Sequence, residues 1–458
     1  MKTKLINRNL NPQIIINENF DKIVIATFFV ISIISGLIIM NFDIMFNYLI
    51  ALFGVIFVIY IILKNLFLGI GILAGSVLIE EGFSLFSSSQ SITKLLAVFI
   101  IGLGLYKIIN LKKEKNKKNG LLGLTFIFFL WILVTTIAAT NTQVSIMKSL
   151  TIFQMFFLYI VMINLINSNE ELEKVLFAFM WTGIAISLYS LLYNSPSSIN
   201  ASYYGHTLVR LVGTGEDPNL FAQNFLLLVP IGFYFSIHKS KLYIIPSILF
   251  IFITICTLSR GALVGLIIVI ISSMTIIFTS LSKFKKYFYS SLFIISFISI
   301  LLFINSRTNG LFFERISQRD GSVNTRLQLM DVGMDMGINN FIFGVGIGNF
   351  RFNSASYGHF FHYMRESHNG FLEIFATLGL PGLVIFLLII FFVFLYFKKV
   401  ITFYKDDRRL RDLYLFLAVA FVSFLITGFF IGIYDHKLFW FLIAFATVSQ
   451  KFISVKKT

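Results

Sequence analysis

The chain has 458 residues, 57% of them hydrophobic and 13% charged, with a formal net charge of +16 and a mean hydropathy of +0.87. This composition excludes a soluble globular enzyme and matches a polytopic membrane protein. The single cysteine, Cys256, excludes intrachain disulfides and multi-thiolate metal sites. The positive charge sits mostly in short segments between apolar runs, where lysine is a topology signal rather than a nucleic-acid footprint.

Apolar runs of about 18 residues or more recur along the chain, each able to cross a hydrocarbon core of roughly 30 Å as a helix. In chain order the predicted spans are 23–40, 44–63, 66–79, 93–111, 121–139, 146–165, 174–193, 219–237, 242–258, 261–281, 287–304, 370–396, 412–430 and 437–454. Lys2, Lys4, Arg8 and Lys22 precede the first run without a small-residue cleavage site after it, so that helix is expected to be retained. The third run is short and carries Gly69, Gly71 and Gly75, the pattern of a broken or re-entrant segment. The predicted class is therefore an all-α polytopic membrane protein with about 12–14 transmembrane helices. Its expected parts are N-terminal transmembrane helices (1–193), a first outward loop (194–218), central helices (219–304), a large, partly helical outward loop (305–369) and C-terminal helices (370–458).

With both termini in the cytoplasm, Lys64, the run Lys112 to Lys118, Lys239, Lys241, Lys283 to Lys286 and Lys398 to Arg411 all fall inside, as the positive-inside rule requires. Only Lys94, Lys148 and Lys437 fall outside, whereas eight of the twelve arginines do: Arg210, Arg260, Arg307, Arg315, Arg319, Arg326, Arg351 and Arg365. His206, His359, His362, His368 and His436 lie on the same side. The segment Asn305 to His368 holds six arginines, three histidines and no lysine. That bias favours planar guanidinium recognition of an anion over general solubility. Within it, Asn324 or Thr325 is the expected N-cap of an amphipathic run through Met336, followed by the turn Gly344-Val345-Gly346-Ile347-Gly348.

Three blocks stand out, each with an ordinary explanation beside it. Ser259-Arg260-Gly261-Ala262 places a guanidinium at a predicted membrane boundary; a snorkelling arginine is the plain reading, but Gly261, Ala262 and Gly265 favour close packing or ligand approach. Asp217-Pro218-Asn219 reads as a well-capped helix start, which leaves Arg210 unexplained. Gly344 to Phe350, then His368-Asn369-Gly370 with Glu373, and Gly379-Leu380-Pro381-Gly382 are in part turn chemistry. A histidine at the lip of a helix, however, can exchange a proton near neutral pH. Glu80 and Glu81 read as interfacial, and no His/Asp/Glu spacing suggests a metal site.

Together these blocks resemble the O-antigen ligase and O-antigen polymerase (Wzy-type) family of bacterial membrane glycosyltransferases. The resemblance rests on Asp217 to Ala222, Leu258 to Ala262, and Arg326 through Gly344–Phe350 to His368, Asn369, Glu373 and Gly379–Gly382, about the middle half of the chain. It implies a GT-C-like helical fold in the bacterial cytoplasmic membrane and an active site at the outer face beneath a large loop. It also implies a polyprenyl-diphosphate-linked glycan donor, a glycan or lipid-linked acceptor, and no cofactor or metal. A flippase and a chain-length regulator are the partners such a pathway would bring.

The chemistry of the residues agrees. A lipid diphosphate joins an anionic head to an apolar tail, so Arg210, Arg260 and Arg326 at a membrane lip suit its oxygens, with Asn219 and Asn369 as further substrate contacts. Fixed guanidinium groups stabilise charge growing on the departing phosphate. The acceptor hydroxyl must lose a proton, and His368 is the expected base, which makes His368, Arg260 and Arg326 the expected catalytic set. Polymerisation of repeat units is the preferred reading. Transfer of a finished glycan to a lipid, cell-wall or protein acceptor is the alternative, and a lipid-linked glycan flippase is the competitor from another class. A flippase would call for charges along a midplane cavity and for related halves of the chain, neither of which the sequence displays.

Overall fold

The computed structural model describes residues 44–82, 91–110, 120–192, 199–203, 206–213, 217–279, 283–307, 310, 313, 321–357 and 364–455. They form fifteen α-helices. The first seven are α1 (Ile44–Lys64), α2 (Leu66–Ser76), α3 (Ile92–Asn110), α4 (Gly120–Ile137), α5 (Thr142–Leu165), α6 (Asn169–Leu192) and α7 (Pro218–His238). The rest are α8 (Ile244–Cys256), α9 (Arg260–Phe278), α10 (Lys283–Arg307), α11 (Gly321–Asn339), α12 (Phe350–Tyr357), α13 (Gly370–Phe403), α14 (Arg408–Thr427) and α15 (Lys437–Val455). Among the described residues eight helices are long and apolar enough to cross a membrane: α3 to α7, α9, α13 and α14. The chain is an all-α, multi-pass membrane protein. The expected span 23–40 lies outside the described residues.

The third expected span is the short helix α2, continued by a 3-10 turn over Val77–Gly82. Its glycines serve packing: a Cβ on Gly71 would meet the Val175 carbonyl and Ala178, and one on Gly75 would collide with Thr182, so α2 and α6 approach closely. Without water to drive association, such small-residue contacts are what bring helices together in lipid. The same device recurs where Gly265 of α9 meets Leu226 of α7 and Thr427 of α14. α15 runs through the interior, with Trp440, Phe441, Ile443 and Phe445 at 3% exposure or less.

The two ends of the bundle differ in chemistry. Where α6 and α14 begin and α7 ends, Arg409 grips Glu173 through Nε (3.1 Å) and a terminal nitrogen (2.5 Å), and the Tyr234 hydroxyl donates to the same carboxylate at 2.5 Å. Nearby, His238 meets Asp412 at 3.0 Å, with Arg411 on the other carboxylate oxygen at 3.1 Å. Buried carboxylates need such partners to stay charged. The opposite end carries the residues singled out from the sequence.

Two features there depart from the sequence reading. The first loop contains an antiparallel hairpin, β1 (Ile199–Tyr203) and β2 (His206–Arg210), in register Ile199 to Arg210 and Tyr203 to His206. The loop helix α11 starts at Gly321, so Asn324 and Thr325, expected as its cap, lie inside its first turns. His359, His362, Arg315 and Arg319 lie outside the described residues.

Candidate active site

The site is organised around the lip of α13. Asn369 is its N-cap: the side-chain oxygen accepts from the Phe371 and Leu372 amides, both at 3.1 Å, satisfying donors the helix cannot. Immediately before it, His368 has φ 50°, a left-handed conformation that costs a residue with a Cβ about 1–2 kcal/mol. The neighbours hold it there. The buried Ser367 hydroxyl donates to Glu373 Oε2 at 2.8 Å, the Gly370 amide donates to the Gly428 carbonyl at 2.8 Å, and Tyr434 donates to Glu373 Oε1 at 3.3 Å. Beside this carboxylate, Lys148 of α5 forms an ion pair with Asp435.

The second part comes from the hairpin and the α8–α9 corner. Asp217 caps α7, accepting from the Asn219 amide at 2.8 Å and from its side-chain nitrogen at 2.9 Å. Arg210 is buried and donates from Nε to the Thr257 carbonyl (2.9 Å) and from a terminal nitrogen to the Asn219 side-chain oxygen (3.1 Å). The Asn219 amide is thus fixed at both ends. Arg210 joins the hairpin to the corner, where Leu258 has φ 54° and Ser259 caps α9 through the Ala262 amide at 3.4 Å. Arg260 is the first residue of α9 and half-buried, displayed by this corner.

The third part is α11. Arg326, in its second turn, is half-buried, and its charge acts on His368. Burial lowers the imidazole pKa first, Arg326 and Arg365 lower it further, and Asp217 opposes them. The net is a histidine held below its ordinary value, neutral at pH 7 and able to accept a proton. The electrostatics therefore bring His368, Arg326 and Asp217, which belong to separate sequence blocks, into one neighbourhood.

The glycine-rich turn has a structural duty. Gly344, Gly346 and Gly348 all have positive φ, and the Val345 and Gly346 amides donate to the Ala376 and Thr377 carbonyls at 3.0 Å. On its other side the Val345 carbonyl accepts from the Thr140 amide (3.1 Å) and the Ile347 carbonyl from Ser145 Oγ (2.8 Å). The turn is a clasp between the α4–α5 corner and a kink in α13 at Gly379, whose φ of 68° and ψ of −175° interrupt the helix before Pro381. A Cβ on Gly379 would strike the Ile342 carbonyl, so only glycine fits.

Several charges that the sequence reading puts outside have protein partners. Arg351 pairs with Glu366 at 3.7 Å, the Arg307 guanidinium lies 5.4 Å from the Phe303 ring, and Lys437 pairs with Glu80. His436 is buried, its Nδ1 accepts from the Leu438 amide at 3.3 Å, and burial pushes its pKa down to about 4 against the opposing pull of Asp435 and Glu80. Sequence reasoning gave no role to Ser367, Lys148, Tyr434, Asp435 or the Glu373 carboxylate. The legible signal was that Lys148 breaks the lysine topology rule. Among the described residues no group of three or more His, Cys, Asp or Glu side chains could hold a metal ion.

Residues 245–387 match the family model described as O-antigen ligase. The chain carries an O-antigen ligase-type domain. The match supports an O-antigen ligase/polymerase-type family and, with it, membrane glycan transfer on lipid-linked glycan substrates. No curated protein matches the chain. The O-antigen ligase domain runs from α8 to the first half of α13 and so contains Arg260, Arg326, His368 and the clasp. Arg210, Asn219, Lys148 and Asp435 lie outside the matched segment and complete the neighbourhood from both flanks.

Proposed function

We propose that the chain polymerises surface polysaccharide at the outer face of the bacterial cytoplasmic membrane, using a polyprenyl-diphosphate-linked oligosaccharide as donor. The observation that carries this reading is His368, fixed in a left-handed backbone at the lip of α13 and kept neutral by burial and by Arg326 and Arg365. In the proposed step the acceptor sugar oxygen bonds to the donor's anomeric carbon while that carbon's bond to the diphosphate oxygen breaks. The bonding pair leaves with the diphosphate, and the acceptor proton goes to His368. Arg260 and Arg326 stabilise the charge that grows on the leaving group. Arg210 holds Asn219 ready for the substrate, and Asn369 presents the helix lip.

Because a diphosphate leaves readily and the guanidinium groups offset its charge, the reaction needs neither a general acid nor a metal. Binding of the donor places negative charge beside Arg326 and relieves its effect on His368, whose basicity then rises when it is needed.

Reconstitution with purified lipid-linked repeat unit tests the assignment. A ladder of longer lipid-linked glycans supports polymerase, whereas transfer only after addition of a separate acceptor replaces it with ligase. His368→Ala is expected to abolish either product at matched protein abundance; wild-type output from that variant would remove the base role.

A further inference from the structure

Helix α11 belongs to the large, partly helical loop that the sequence places between the central and C-terminal helices. At 3.6 residues per turn its side chains fall into three strips rather than two. The first, Leu329, Val332 and Met336, is buried, with Gly333 against Leu372 and Gly337 against Phe375 of α13. The second is polar and faces out: Asn324, Asp331, Asp335 and Asn339. The third is apolar and also faces out: Leu327 at 55% exposure, Met330 at 44%, Met334 at 48% and Ile338 at 58%. A soluble lid has no use for this third strip, which would stand in water beside a polar one.

Continuity identifies what covers it. The apolar strip runs into exposed Phe341, Ile342 and Phe343, and from there into Leu380, Val384 and Leu388, the outward face of the membrane-spanning α13. The two are fastened together, since the Leu380 amide donates to the Phe341 carbonyl at 2.8 Å. At the junction Trp131 stacks on Phe343 at 5.8 Å and donates from Nε1 to the Leu378 carbonyl at 2.8 Å. An indole with its polar edge satisfied and its face on an exposed apolar ring suits the headgroup boundary of a bilayer.

We infer that α11 is a helix of the membrane surface, its Leu327–Met330–Met334–Ile338 strip embedded in the lipid leaflet at this end of the bundle and its Asp331–Asp335 strip facing water. An open apolar cleft of about 420 Å³ then lies on the lipid side of α11, lined by Met330, Met334, Phe371, Phe375, Leu383 and Phe429 and ending at Asn369. Hydrocarbon reaches the cap of α13 sideways, without crossing water. The surface assignment does not depend on the reaction proposed above.

The test places single cysteines at Met334, Ile338, Asp331 and Asp335 in a Cys256→Ser background, with Val384 as a lipid-facing reference. Each is labelled with a small fluorophore, and the full chain is reconstituted into phosphatidylcholine vesicles. Lipids carrying a nitroxide high on the acyl chain are expected to quench positions 334, 338 and 384 at least about twofold more than positions 331 and 335, with aqueous iodide giving the reverse order. Iodide quenching of 334 and 338 equal to that of 331 and 335 would overturn the inference by putting the strip in water. Protection of 334 and 338 from both quenchers would overturn it by showing a protein partner on the strip. The response of position 384 certifies in each sample that the protein is folded and inserted.

Discussion

Glu373 makes the sharpest demand on the site's architecture. Its carboxylate accepts from Ser367 at 2.8 Å and Tyr434 at 3.3 Å, and it stands beside the Lys148–Asp435 pair. Glu373→Ala leaves two buried hydroxyls without that acceptor, at about 1–3 kcal/mol each, with Ser367 at the lower end. Ser367 retains a fallback, the Asn369 carbonyl at 3.3 Å. Free of Glu373, the segment can also give up the left-handed turn at His368, recovering about 1–2 kcal/mol of strain and moving the imidazole. A displacement of about 1 Å at a reacting group lowers the rate by roughly 100-fold. Glu373→Gln keeps an acceptor and the side-chain volume and should lose no more than about tenfold, the equivalent of 1.4 kcal/mol.

The assay is glycan transfer in reconstituted vesicles, with melting temperature and size-exclusion profile measured on the same preparations. The shift of His368 comes from burial, Arg326 and Arg365, opposed by Asp217, so the acidic limb of the rate profile should stay in place in the Gln variant even if the maximum rate falls. Wild-type transfer by Glu373→Ala would show that the network does not hold His368. A Gln variant as poor as the Ala variant would show that one acceptor oxygen is not enough and that the full carboxylate is required.

Three further expectations can be measured. With His368 held below its ordinary pKa by burial, Arg326 and Arg365, the acidic limb of kcat/KM, which reports the free enzyme, should lie below about pH 6.5, and that of kcat, with the donor on Arg326, should lie higher. Coincident limbs would separate Arg326 from the anion. His436 has a native pKa of about 4 against an ordinary 6.5, so between these values the unfolded chain binds a proton that the folded one does not. Stability should then fall as pH drops from about 6.5 towards 4, by roughly 3 kcal/mol in all. Across that window the wild type should lose stability relative to His436→Gln as pH falls, and parallel curves would contradict the assignment. Gly379→Ala, at φ 68° and against the Ile342 carbonyl, should destabilise by more than about 1 kcal/mol, because a Cβ must displace backbone rather than a side chain. A melting point unchanged from wild type would mean that the clasp yields.

The helices were legible in the sequence because lipid imposes one simple rule on an apolar stretch, and the boundaries agree closely: 370 as the start of α13, 437 as that of α15, 44 as that of α1. The hairpin at Ile199–Arg210 was not legible, since five-residue strands in a polar loop lack both length and periodicity. The place of His368 at a helix lip was readable, whereas the residues that hold it were not. Ser367 is adjacent, but Lys148 and Asp435 lie far apart in sequence and meet only because α5 and the α14–α15 connection share one end of the bundle. Arg210 shows the converse. Its residue type suggested ligand binding, and the structure gives it the Thr257 carbonyl and Asn219.

The pairing of Lys148 with Asp435 and of Lys437 with Glu80 bears on how the chain is made. Lys148 is translated long before Asp435 exists, and Glu80 long before Lys437, so in the proposed orientation each crosses to the outer face alone. Until the α14–α15 connection and the start of α15 are made, Lys148 lacks Asp435 and Glu80 lacks Lys437. In that orientation the early helices are placed before either pair can form, and a chain truncated ahead of Asp435 would leave Lys148 without that partner.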